Sequence, residues 1–125
     1  MTTHRPSADD LLEALGEYLT SDLAARVSGA DAFNLRVAAN VLAIVRREMT
    51  EGVASEARAA ERFGVLLGRQ GTADELSAEL CRAIRAGRIA PDDPALLGAL
   101  KETAADRLAI DNPRYATYRS VRDPN

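Results

Sequence analysis

Arg36, Asn40, Ala43 and Arg47 are spaced four, three and four residues apart, and they are the strongest candidates for chemistry in this sequence. On an α-helix that spacing keeps all four in one row. The row sets an amide between two guanidiniums on an otherwise apolar segment. Guanidiniums grip carboxylates and phosphates through paired hydrogen bonds, so one reading is an anion or carboxylate site facing a cleft or a partner protein. The other reading is internal. Buried polar groups must be paired, and a carboxylate such as Asp106 or Asp111 would complete a structural network around Arg36 and Asn40.

A second candidate is Ala109-Ile110-Asp111-Asn112-Pro113-Arg114-Tyr115. Asp and Asn before Pro stop helices, because their side chains satisfy local backbone groups. Asp111, Asn112 and Tyr115 either dock on a partner, with Tyr115 as an amphipathic anchor, or fold the tail back onto the body. Gly64 to Thr72 looks superficially like a phosphate loop. It lacks the Gly-Lys-Ser/Thr ending and a preceding strand, so that reading is set aside.

Nothing else gathers reactive groups. His4 is the sole histidine and lies in the N-terminal tail, and Cys81 is the sole cysteine. Zinc sites need clustered ligands, and His-assisted nucleophiles need a fixed histidine. Cys81 reads as a small buried hydrophobe beside an apolar face. The pairs Asp9-Asp10 and Asp92-Asp93 sit where helices start, where capping explains them. The expectation is a non-enzyme without metal or cofactor.

The elements that would position these residues are all helical. Ser7 is an N-cap, and Leu11, Leu12, Leu15 and Leu19 recur at helical spacing towards Val27. A second helix is predicted from Asp31 to Glu51, stopped by Gly52, and apolar over most of its circumference, which marks it as central. A third runs from Ala54 to Arg69, with Gly64 and Gly68 marking a close helix crossing. A fourth starts at the Thr72/Glu75 capping box, buries Leu76, Leu80, Ala83 and Ile84, and ends at Gly87. A fifth starts at Asp93-Pro94, buries Leu96, Leu97, Leu100, Ala104 and Leu108, and stops before Pro113. The predicted fold is all-α: a compact bundle of about five helices in residues 7–112, with a loose tail at 1–6 and an irregular one at 113–125.

Bulk properties agree. The chain has 125 residues, enough for one domain with its own core, and 46% of them are hydrophobic. Aromatics make up 4%, which suits close helix packing by small aliphatics. The net charge is −3, which argues against nucleic acid as a partner. Arginine supplies the basic residues, with Lys101 the single lysine. No apolar run approaches membrane-spanning length and no signal-peptide core opens the chain, so the expected location is the cytoplasm.

Three stretches together are similar to a bacterial family of small helical proteins of unknown function. They are Phe33-x-x-Arg36-Val37-Ala38-Ala39-Asn40-x-Leu42-x-Ile44-Val45-x-Arg47-Glu48, Leu80-Cys81-x-x-Ile84-Arg85-x-Gly87, and Leu108 to Tyr115. Members of that family tend to be encoded beside aminoglycoside-phosphotransferase-like kinases and acyl-CoA dehydrogenases. The resemblance implies an accessory or regulatory module that binds one of those enzymes in acyl-CoA or hydroxy-acid catabolism. The alternative is a binding protein for an acyl-CoA or carboxylate, with Arg36 and Arg47 at the mouth of an apolar cavity. Either could be a homodimer.

Overall fold

A computed structural model describes residues 5–123, so His4 lies outside the described residues. Every regular element among them is helical, as the apolar spacing predicts. We number the helices α1 (Ala8–Glu17), α2 (Gly29–Leu67), α3 (Ala73–Arg85), α4 (Pro94–Asp111) and α5 (Ala116–Arg122). A π-helical turn over Tyr18–Asp22 and a short 3-10 turn over Ala24–Arg26 join α1 to α2.

The starts of α1, α3 and α4 follow from side-chain capping. Ser7 and Asp10 form a reciprocal box, with Asp10 N–H donating to Ser7 Oγ at 3.0 Å and Ser7 N–H to Asp10 Oδ2 at 2.9 Å. Thr72 and Glu75 repeat the pattern at α3. Asp93 accepts from the Ala95 and Leu96 amides ahead of α4, with Pro94 in the first turn.

Two boundaries differ from the sequence reading. The predicted second and third helices are one, because α2 runs unbroken through Gly52. A glycine stops a helix when it turns left-handed, and among the described residues only Gly29, Gly68 and Gly87 have positive φ. Gly52 stays helical and buried. At the other end, residues 116–122 of the expected irregular tail form α5, after Pro113 has ended α4. The last two tail residues, 124 and 125, lie outside the described residues.

The chain divides into two compact units, Met1–Thr50 and Glu51–Asn125. In the first, α1 lies antiparallel to the opening half of α2. Arg46 donates to Asp9 near the start of α1, and a Cβ on Gly16, one helix-length further on, would stand 3.7 Å from Leu42. This hairpin has no fully buried residue among the described ones.

The second unit holds the core. Ala59 and Phe63 of α2 meet Leu76 and Leu80 of α3 and Leu96 of α4. The α3 face is the expected one, with Leu76 fully buried and Ile84 partly so. The α4 face is not. Leu97 and Leu100 are exposed, and the buried row is Leu96, Ala105, Asp106 and Ile110. A charged residue sits in the buried row because three arginines neutralise it, a compensation that hydrophobic spacing cannot register.

Gly64 lies against α3, with Leu76 3.8 Å from where its Cβ would stand, but its tightest neighbour is the turn that follows α2. A Cβ there would stand 2.7 Å from the Arg69 carbonyl oxygen, because the chain turns back at Gly68, where φ is +67°. Backbone cannot retreat as a flexible side chain can. We therefore expect Gly64→Ala to destabilise the protein by roughly 1–3 kcal/mol despite alanine's better helix propensity. Urea denaturation measures it, and unchanged or increased stability would contradict this reading of the turn.

Candidate functional site

The arginine row of α2 is on the surface. Arg36 and Asn40 are exposed. The Arg36 guanidinium carbon stands 5.9 Å from the centre of the Phe33 ring, a cation–π contact on the same helix. Arg36 also borders a cavity of about 250 Å3 whose walls are Leu19, Thr20, Ala24, Ala32, Leu35 and Ala39. Arg47 is half-buried. Beside Ala43 the hairpin forms a second groove of about 280 Å3, lined by Glu13 and Glu17 and by Arg46, whose guanidinium is already paired with Asp9 and Glu13.

The internal partner of α1 is Arg46, next to the row rather than in it. Its Nε and Nη2 donate to the two Asp9 oxygens at 2.9 and 3.2 Å. The hydrogen bond from Arg46 holds the Asp9 carboxyl below its usual range and raises the guanidinium in return. This bidentate pair ties α1 to α2 in one register.

The Asp111 segment lies in the second unit, apart in sequence and in unit from the arginine row. Asp111 accepts two hydrogen bonds from Arg107, one turn earlier, at 2.8 and 2.6 Å. Asn112 caps α4, its N–H donating to the Leu108 carbonyl and its own carbonyl accepting from Tyr115 N–H. Tyr115 precedes α5 and is 47% exposed. The segment is a helix-to-helix corner. Cys81, expected to be buried, is exposed instead, because the buried row of α3 is 76, 80 and 83 and Cys81 falls off it.

Sequence reading missed the densest charge cluster. The Asp106 carboxylate, 8% exposed, receives Arg58 Nε at 2.9 Å, Arg62 Nη2 at 2.9 Å and Arg122 Nη2 at 3.2 Å. Arg62 also donates to Thr103 Oγ1. These are the partners of Asp106, in place of the Arg36 and Asn40 expected from sequence. The available signal was the spacing of Arg58 and Arg62, one helical turn apart. Burial drives the Asp106 carboxyl up, but hydrogen bonds from Arg58 and Arg62 outweigh it, and the net pKa lies below the usual value. Arg122 pins α5 to α4 through this same carboxylate.

Apart from these pairs, the hairpin separates its side chains by character. At about 100° per residue, Leu11, Leu15 and Tyr18 share one flank of α1, and Asp10, Glu13 and Glu17 take the other. The same count on antiparallel α2 puts Ala38, Val41, Val45 and Met49 on the apolar flank, bordered by Asp31 and Glu48, and Arg36, Asn40 and Arg47 on the charged one. Phe33 and Val37 point away from α1 altogether. The large apolar side chains among these are between 43% and 60% exposed.

No group of three or more His, Cys, Asp or Glu among the described residues is arranged to hold a metal ion. No helix among them is long and apolar enough to cross a membrane. The groove at the turn after α2, about 700 Å3 and bordered by Gly64, Gly68 and Gly71, has no phosphate-loop character. Thr72 and Glu75 already occupy the amides that open α3.

The Asp106 cluster predicts a pH effect. Its folded-state pKa is depressed, so its stabilisation is present at neutral pH and is lost as pH falls below about 4 through the folded-state value. We expect Asp106→Asn to cost roughly 1–3 kcal/mol at pH 7, limited by the solvent access of Arg58 and Arg122. The difference from the unsubstituted protein should shrink towards pH 3 in thermal melts. A pH-independent difference would contradict the charge account.

Comparison with curated proteins finds no match, and comparison with solved structures finds none either. A family described as a domain of unknown function, DUF6285, matches residues 25–115. That span begins at the α1–α2 connection, takes in the arginine row, Asp106 with Arg58 and Arg62, and the α4–α5 corner, and covers well over half of the chain. The chain therefore belongs to the DUF6285 family.

Proposed function

We propose that this protein is a non-catalytic accessory module that binds a partner enzyme. The observation that carries the reading is the outward side of α2. Phe33 and Val37 are 59% and 48% exposed on the helix surface turned away from α1. Monomeric soluble proteins seldom expose a contiguous apolar strip of this kind unless something covers it. Spacing of four residues between these side chains suits a groove that takes a helix edge. The family's expected neighbours supply the candidates: an aminoglycoside-phosphotransferase-like kinase or an acyl-CoA dehydrogenase, in acyl-CoA or hydroxy-acid catabolism. Such a module works in the cytoplasm beside its enzyme.

A smaller observation favours a second reading, a small-carboxylate binder. The cavity beside Arg36 has apolar walls and one guanidinium to meet a carboxylate, while its Thr20 hydroxyl already donates to the Gly16 carbonyl at 2.8 Å. At about 250 Å3 it suits a short carboxylate and is too small for an acyl-CoA. Calorimetry with butyrate separates the readings: binding that Arg36→Leu abolishes would favour the small-molecule role.

For the leading reading, the test is co-purification with each enzyme, with and without nucleotide and acyl-CoA. We expect a complex with one of them at about 50 µM or below, lost at least tenfold in Val37→Asp while helicity is unchanged. No complex with either enzyme at that concentration would sink the proposal.

A further inference from the structure

We infer that the apolar flank of the α1–α2 hairpin is a homodimer interface, closed by the same flank of a second copy of this chain. This goes beyond partner-enzyme binding and uses a different side of the hairpin. The flank is built from Leu11, Leu15 and Tyr18 of α1 and Val41, Val45 and Met49 of α2, all between 43% and 60% exposed. Register is fixed by the pairing of Arg46 with Asp9 and by the contact of Gly16 with Leu42, so the two triplets lie alongside each other.

The occupant follows from three observations. First, the hairpin has no fully buried residue among the described ones. Two helices that bury so little do not recover the entropy lost on ordering, so this flank needs a cover wherever the chain itself is folded. Another copy is the one protein always present with it. Second, the charged side chains Asp10, Glu13, Glu17, Arg36 and Arg47 fall on the opposite flank, and Asp31 and Glu48 are the charges that border the apolar one. Two copies related by a two-fold axis therefore meet through a flank whose centre, Leu15 with Val41 and Val45, carries no charge. Third, the size fits. Six half-exposed side chains of this kind offer on the order of 500 Å2 per copy. A pair then buries about 1,000 Å2 from these anchors alone, and the rim brings it to the threshold of specific interfaces at about 1,200 Å2. Two αα-hairpins joined in this way make a four-helix bundle, the usual solution for such faces.

Sedimentation equilibrium of the full chain tests it. The expected mass is twice 13.4 kDa at about 100 µM, with a melting temperature that rises with protein concentration. Leu15→Glu and Val45→Asp should each weaken association at least tenfold, and Val37→Asp, on the outward side of α2, should leave it intact. A chain that is monomeric at about 100 µM with a concentration-independent melting temperature would overturn the inference. So would a dimer indifferent to both flank substitutions. The melting series requires no variant, so it decides even if a substituted hairpin unfolds. A dimer that binds no enzyme counts against the proposed function alone, and a monomer that binds one counts against this inference alone.

Discussion

Burial of apolar surface is distributed unevenly along this chain, and the rest of the structure depends on that imbalance. Phe63, Leu76, Leu80, Leu96 and Ile110 are withdrawn from water in the second unit. The first unit withdraws none of its described residues to that degree, although it is as rich in leucine and valine. Its helices are held by a seam of half-buried side chains such as Leu12, Leu19, Leu35 and Leu42, by one bidentate ion pair, Arg46 with Asp9, and by close approach at Gly16. An exposed ion pair contributes at most about 1 kcal/mol, and no hairpin of this length stands on that alone. In both readings proposed above, the exposed valines and leucines are contact surface whose partner lies outside the hairpin. The readings offered above differ in which side of α2 is covered, and by what.

The second unit solves the opposite problem. It buries a carboxylate in the middle of its core row and surrounds it with three guanidiniums drawn from α2 and α5. An isolated buried charge is costly, but a paired one orients the elements that supply its partners. Asp106 fixes the register of α4 against α2 and gives the short α5 its anchor. Because the guanidiniums keep partial access to solvent, the cluster acts as a charged clasp rather than a sealed core pair. It is structural chemistry, and no described residue around it has the arrangement of a nucleophile with its base.

Much of the fold was legible in the sequence because its signals are local. Ser7, Thr72 and Asp93 announced three helix starts, and Leu76, Leu80 and Ala83 the α3 face. What was not legible depended on conformation or on distant partners. Gly52 and Gly68 are the same residue type, yet only Gly68 turns left-handed. Leu97 and Leu100 matched helical spacing as well as Ala105 and Ile110 did, and the three arginines around Asp106 decided between the rows. For the candidate site, the alignment of Arg36, Asn40 and Arg47 on one helix row follows from spacing alone. Spacing did not indicate that the row faces outward, nor that Arg46 beside it would take the internal carboxylate.

The most direct measurement is amide hydrogen exchange on the full chain across protein concentrations. If the hairpin relies on a protein cover, amides of α1 and of the opening half of α2 gain protection as concentration rises, while those of α3 and α4 are protected throughout. Equal and strong protection of α1 at the lowest concentration would mean that the hairpin is stable uncovered, and the account would fail.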